Sequence, residues 1–146
     1  MTTPIHRRVD ALRAGEDPTF VARLASGWAV LGERQVLPGY CLLLPDPVVP
    51  TLNALAGVDR AAFLADMAAL GDAVLAVTHA VRINYAIFGN QDPALHAHVI
   101  PRYHDEPAPF VTAQPWAYDW DRAPTFDREE HRELRDRIHA ALGRKA

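Results

Sequence analysis

Two short apolar runs joined by a polar turn, in the stretch INYAIFGNQDPALHAHVIPRY from Ile83 to Tyr103, constrain the fold of this chain more than any other feature. The turn, Gly89 to Asp92, is built of residues that leave extended backbone readily, and the flanking runs have strand rather than helix length. Side chains alternate across a strand, so Ala94, His96 and His98 are expected on one face and Leu95, Ala97 and Val99 on the other. Two imidazoles then point the same way, roughly 7 Å apart at Cα. Gly89 permits unusual backbone angles, and Asn90 and Gln91 add amide donors, a layout suited to holding an anion near an imidazole.

The other segments supply partners for that strand pair. Ile5 to Ala14, apolar at Ile5, Val9 and Leu12, reads as a short helix ended by Gly15. Phe20 to Leu24 and Trp28 to Leu31 read as a hairpin around Ser26-Gly27. Pro38-Gly39 turns into Tyr40 to Leu44, apolar on both faces and so expected as a central strand, which Pro45, Pro47 and Pro50 stop. A helical turn is expected over Thr51 to Leu55. From Asp59 as N-cap to His79, the steps between Phe63, Met67, Leu70, Val74 and Val77 are helical and mark a core stripe. Tyr103 to Trp120 is proline-rich and aromatic, an irregular segment lying across the surface, and Thr125 to Leu142 reads as a charged helix capped by Thr125 or Asp127. The order predicts an α+β domain spanning residues 1–146, with a mainly antiparallel sheet, one long central helix and a C-terminal helix.

A chain of 146 residues with 49% hydrophobic content suffices for one core. Its net charge of -3 argues against broad electrostatic binding to nucleic acid or an anionic membrane, while leaving room for a small phosphate-bearing ligand. No apolar run is expected to reach membrane-spanning length, and the N-terminal residues lack the apolar segment of a secretory signal. With Cys41 the single cysteine, no internal disulfide can form. The default expectation is a cytoplasmic protein.

At the residues of the central stretch the chain resembles the histidine-triad superfamily of nucleotide hydrolases and transferases. The family pattern is His, apolar, His, apolar, His, two apolar residues and usually Pro-Arg, with an Asn or Gln upstream. His96, His98, Val99-Ile100, Pro101-Arg102, Asn84 and the Gly89-Asn90 turn match; Ala94 stands where the first histidine would be, and the gap from Asn84 to His96 is one residue short of several members. Where the family often has Pro-Gly-His before a strand, this chain has Pro38-Gly39-Tyr40. The resemblance implies a nucleophilic His96 that forms a covalent nucleotidyl intermediate, and a His98 that hydrogen-bonds the phosphate or leaving oxygen. Such chemistry suits a neutral imidazole, and phosphoryl transfer depends mostly on fixed donors, here Asn84, Gln91 and the backbone near Gly89 and Asn90. It implies further that Glu33 takes the place of the ribose-holding Asp or Asn, though a surface glutamate at a strand end is the alternative. Tyr40 is expected to fill the space left by the missing histidines and supply one hydrogen bond. It implies a homodimer, paired through a helix and an edge strand, and no cofactor.

Rival readings remain at several positions. Trp116 and Trp120 either stack on a nucleobase or anchor the segment by packing. Arg102 is expected to point to solvent or a subunit contact. His96 and His98, with His104 or Asp92, have residue types that bind zinc, but no third ligand has convincing spacing. The whole pocket also suits a nucleotide-binding protein with little or no turnover.

Overall fold

The computed structural model of the chain describes residues 2–143. Strands β1 (Phe20–Arg23), β2 (Gly27–Leu31), β3 (Cys41–Pro45), β4 (Arg82–Ile87) and β5 (Ala97–Arg102) form one sheet in the order β1-β2-β3-β5-β4, antiparallel throughout. Four helices accompany it: α1 (Pro4–Arg13), the long α2 (Gly57–Thr78), the single turn α3 (Ala108–Val111) and α4 (Arg132–Gly143). This is the expected α+β architecture.

β3 is apolar at every position because it is covered on both faces. Cys41 and Leu43 face α2 and α4, where Phe63, Leu70, Val74 and Ile138 are buried, while Leu42 and Leu44 face Ile5, Val9 and Leu12 of α1. Each fully buried side chain of this size contributes roughly 1.5–3 kcal/mol. β5, which starts only at Ala97, and the residues leading into it obey the predicted alternation: Leu95, Ala97 and Val99 join the α2 side, Ala94 and Ile100 the α1 side.

Element ends differ from the sequence reading where capping and tertiary contacts intervene. Thr3 N-caps α1 and His6 completes a capping box, so Pro4 becomes the first helical residue. α2 starts at Gly57 without a side-chain cap, which leaves Asp59 in its first turn, where a carboxylate favours the helix dipole. α4 starts only at Arg132, since Thr125 is drawn into a bridge with Arg34 and Asp127 closes a turn on Glu130 N–H. α2 is also, among the described residues, the one helix long and apolar enough to cross a membrane by length and composition, against the expectation from sequence. Phe63, Leu70, Val74 and Val77 nevertheless pack it on the sheet; its far side exposes Val58, Ala61, Leu64 and Ala65 together with Asp72.

Residues 103–122 return over the α1 side of the sheet, tied down at Arg102. That arginine is buried, correcting the expectation of a solvent-facing side chain: it pairs with Glu106 at 3.0 Å and donates to Asn84 Oδ1 (2.9 Å) and to the carbonyls of Phe110 and Ala113 (both 2.8 Å). Glu106 also accepts from the Tyr118 hydroxyl at 2.6 Å and from Tyr103 N–H at 2.7 Å. A buried ion pair is tolerated when its remaining donors and acceptors are filled in this way.

Candidate active site

The loop between β4 and β5 is tied by backbone hydrogen bonds where it approaches the histidines. Ala94 N–H donates to Asp92 O and Leu95 N–H to Val49 O, both at 2.7 Å. Asp92 Oδ2 accepts the Ile5 N–H in the first turn of α1, a favourable place for a carboxylate, and its Oδ1 is sealed from solvent without a partner. Gly89 takes a φ of +88°, a left-handed conformation that side chains resist, and this turns the chain under Asn90 and Gln91. Both residues are exposed, and among the described residues their backbone N–H groups have no acceptor. A cleft of about 470 Å³ opens here, walled by Phe88, the Gly89–Asp92 turn, His96, His98 and Trp116.

Hydrogen bonds assign the protons of both imidazoles. His96 Nδ1 lies 2.7 Å from the carbonyl oxygen of Ala94; a carbonyl only accepts, so Nδ1 carries the proton and Nε2 keeps a free lone pair. His98 Nδ1 lies 2.7 Å from the Tyr40 hydroxyl, whose proton has no other acceptor among the described residues; it therefore donates to Nδ1, and His98 bears its own proton at Nε2. The rings meet edge to face, centroids 5.1 Å apart, presenting one nucleophilic nitrogen and one donor. Burial, and then the nearby His96, lowers the pKa of His98 to about 4, so it is neutral at physiological pH. The Tyr40 ring is seated against Gly32, where a Cβ would come within 2.2 Å of it, and burial above all raises the phenol well beyond its ordinary range.

No family model and no curated protein matches the chain. Solved structures do. A histidine triad protein from Marinobacter aquaeolei is similar over 100% of both chains, with a TM-score of 0.78 and 20% identity. A histidine triad (HIT) protein from Sinorhizobium meliloti is similar over 89% of this chain and 93% of its own, with a TM-score of 0.73 and 24% identity. A hypothetical histidine triad nucleotide-binding protein from Sulfolobus tokodaii is similar over 93% of this chain and 91% of its own, with a TM-score of 0.73 and 15% identity. The chain has the histidine-triad fold.

Within that fold the sequence-derived candidates separate. His96, His98, Gly89, Asn90, Gln91 and Trp116 converge on the cleft. Asn84 does not: it sits opposite Ile100 and is held by Arg102, beside a different hollow. Its expected role as a phosphate donor is corrected to anchoring that arginine. Glu33 is exposed after β2 and outside the cleft wall, with its carbonyl engaged by Phe126 N–H at 2.7 Å. Tyr40 lies behind His98 rather than in the cleft. The two tryptophans sit differently. Trp116 is 42% exposed and sits edge-on to His98 at 5.4 Å, whereas Trp120 packs on Tyr40 at 5.2 Å and donates its indole N–H to Pro115 O. Phe88, 54% exposed and edge-on to Trp116 at 5.3 Å, completes an aromatic wall that sequence reasoning missed. Its one signal was a large apolar residue directly before the turn glycine. Among the described residues no three His, Cys, Asp or Glu side chains converge as a metal site.

Proposed function

We propose that the protein is a nucleotide phosphohydrolase or nucleotidyl transferase acting at an α-phosphate through a covalent nucleotidyl-His96 intermediate. The carrying observation is the His96 Nδ1 to Ala94 carbonyl bond, which leaves the lone pair of Nε2 free on a residue that lines the cleft. It also explains how the site tolerates an alanine at position 94, because the orienting group is a backbone carbonyl that any residue supplies. The His98 Nε2–H and the unpaired amides of Asn90 and Gln91 would meet the phosphoryl oxygens, and Trp116 with Phe88 would flank a flat ring.

Candidate substrates are dinucleoside polyphosphates, nucleoside phosphoramidates and related esters. Incubation with such a panel, followed by mass spectrometry of product and intact protein, is expected to show nucleotide released from at least one member and transiently attached. His96→Ala is expected to abolish both while the fold persists, since Leu95, Ala97 and Val99 keep their apolar face. Wild-type turnover in that variant would refute the mechanism.

The second reading, a nucleotide-binding protein with little turnover, is favoured by the aromatic enclosure of His98, and ligand binding without product would support it. We also propose a homodimer, supported by the exposed Val58 and Leu64 of α2 and by the sheet-edge strand β4, where Tyr85 is exposed, as is Val81 just before it. A cytoplasmic setting is proposed as well, in keeping with a lone, buried Cys41 whose thiol burial pushes up to about 12.

A further inference from the structure

Resting on the covalent reading of His96, we infer that the site is built for substrates whose leaving group departs as a weakly basic oxygen anion, a phosphate or a carboxylate, and that it discriminates against nucleotidyl amines and alkyl esters. Protons decide this. A phosphate or carboxylate leaves as an anion that is stable at neutral pH. An amine or an alkoxide leaves only if a proton reaches it as the bond breaks, and a positioned acid contributes about 10²–10⁴-fold to such a step.

Among the described residues the cleft wall offers no such acid. Its titratable members are Asp92, His96 and His98. Asp92 directs Oδ2 to the Ile5 N–H of α1 and has Oδ1 sealed from solvent. His96 commits Nε2 to phosphorus and keeps its proton at Nδ1 on the Ala94 carbonyl. His98 has a proton at Nε2, but losing it requires a replacement at Nδ1 from Tyr40, which would leave a tyrosinate buried between Gly32 and Trp120. Nor does His98 start as a cation, because Tyr40, Phe88 and Trp116 pack around its ring and burial holds it neutral. It donates a hydrogen bond and keeps its proton. The amides of Asn90 and Gln91 likewise donate without ionising.

The step balances without an acid. The lone pair of His96 Nε2 forms the N–P bond, and the leaving oxygen takes the electron pair of the broken P–O bond and departs as an anion. In the second half a water oxygen bonds to phosphorus, the N–P pair returns to Nε2, and the water's proton passes to solvent.

The test is a series of nucleoside 5′-aryl phosphates differing only in the phenol, from a nitrophenol to unsubstituted phenol, together with an alkylamine phosphoramidate of the same nucleoside, at neutral pH. The expected kcat/KM falls about a hundredfold or more across the aryl series as the leaving group becomes more basic, with no amine released. His98→Gln, which retains an N–H donor, is expected to lower the rates but keep the same steepness. A flat series, amine release at a rate comparable to the nitrophenyl ester, or a steeper dependence in His98→Gln would overturn the inference while leaving the covalent reading in place. No turnover of even the nitrophenyl ester, with no nucleotide mass on His96, would overturn the covalent reading and this inference with it.

Discussion

Each histidine of the cleft owes its tautomer to a single neighbour, and the consequences are measurable one residue at a time. His98 has a folded pKa of about 4 against an ordinary 6.5, so between those values the unfolded chain binds more protons than the folded one. Stability should therefore fall as the pH drops through that window, at up to about 1.4 kcal/mol per pH unit, and His98 should add nothing further below it. Chemical denaturation at a series of pH values is expected to show this slope in the wild type and a flatter one in His98→Gln. The two tryptophans give a second contrast. Trp116→Ala is expected to weaken nucleotide binding by about 1–3 kcal/mol with little change in Tm, the loss of one stacking surface. Trp120→Ala, which strips the packing from Tyr40, is expected to lower stability by about 3–5 kcal/mol. Equal effects of the two substitutions on Tm and binding would refute the division of roles.

Among the elements, the segment following β5 depends most on one contact. It has little regular structure, and beside the packing of Trp120 on Tyr40 its attachment runs through the Arg102–Glu106 pair and the hydrogen bonds that pair collects. Arg102→Leu leaves Glu106 buried without its cation and is expected to destabilise the protein by about 3–5 kcal/mol. Adding Glu106→Leu should restore much of that loss, because no charge then remains to be solvated. Urea unfolding of both variants tests the pair, and a double variant no better than the single would exclude this account. Burial pushes Glu106 upward, but the hydrogen bonds from Arg102, Tyr118 and Tyr103 N–H outweigh it and hold the carboxyl below its ordinary 4.5. Its contribution is accordingly present above that value and lost as the pH falls beneath it.

For the whole molecule the open question is the state of α2 and β4. A helix with exposed apolar residues such as Val58 and Leu64 on its uncovered side, which also carries Asp72, next to a sheet edge, has surface that a second copy can bury. Light scattering at micromolar concentration is expected to give twice the chain mass, and Leu64→Glu, on the outer side of α2, is expected to shift it toward the single-chain value. A wild-type mass of one chain would refute the dimer.

Periodicity and turn chemistry determined much of this protein from sequence alone. The step pattern from Phe63 to Val77 marked α2, the two-faced apolarity of Leu42 to Leu44 marked the central strand, and alternation from Leu95 to Val99 put the two histidines on the opposite face. These are local signals, because the repeat of a helix or strand is written in consecutive residues. Partnership was not legible. Asn84 matched a motif in type but is claimed by Arg102, whose reach over the returning segment depends on that segment being there. The alanine at position 94 reads as a loss, yet the backbone carbonyl that orients His96 is invisible to any inspection of side chains. Tyr40 and His98 are separated by 58 residues and meet only because β3 and β5 pair as neighbours, placing Leu42 opposite His98. The strand faces followed from local pattern; the proton of His96 is set by a backbone carbonyl two residues away, and that of His98 by a residue brought from a distant part of the chain.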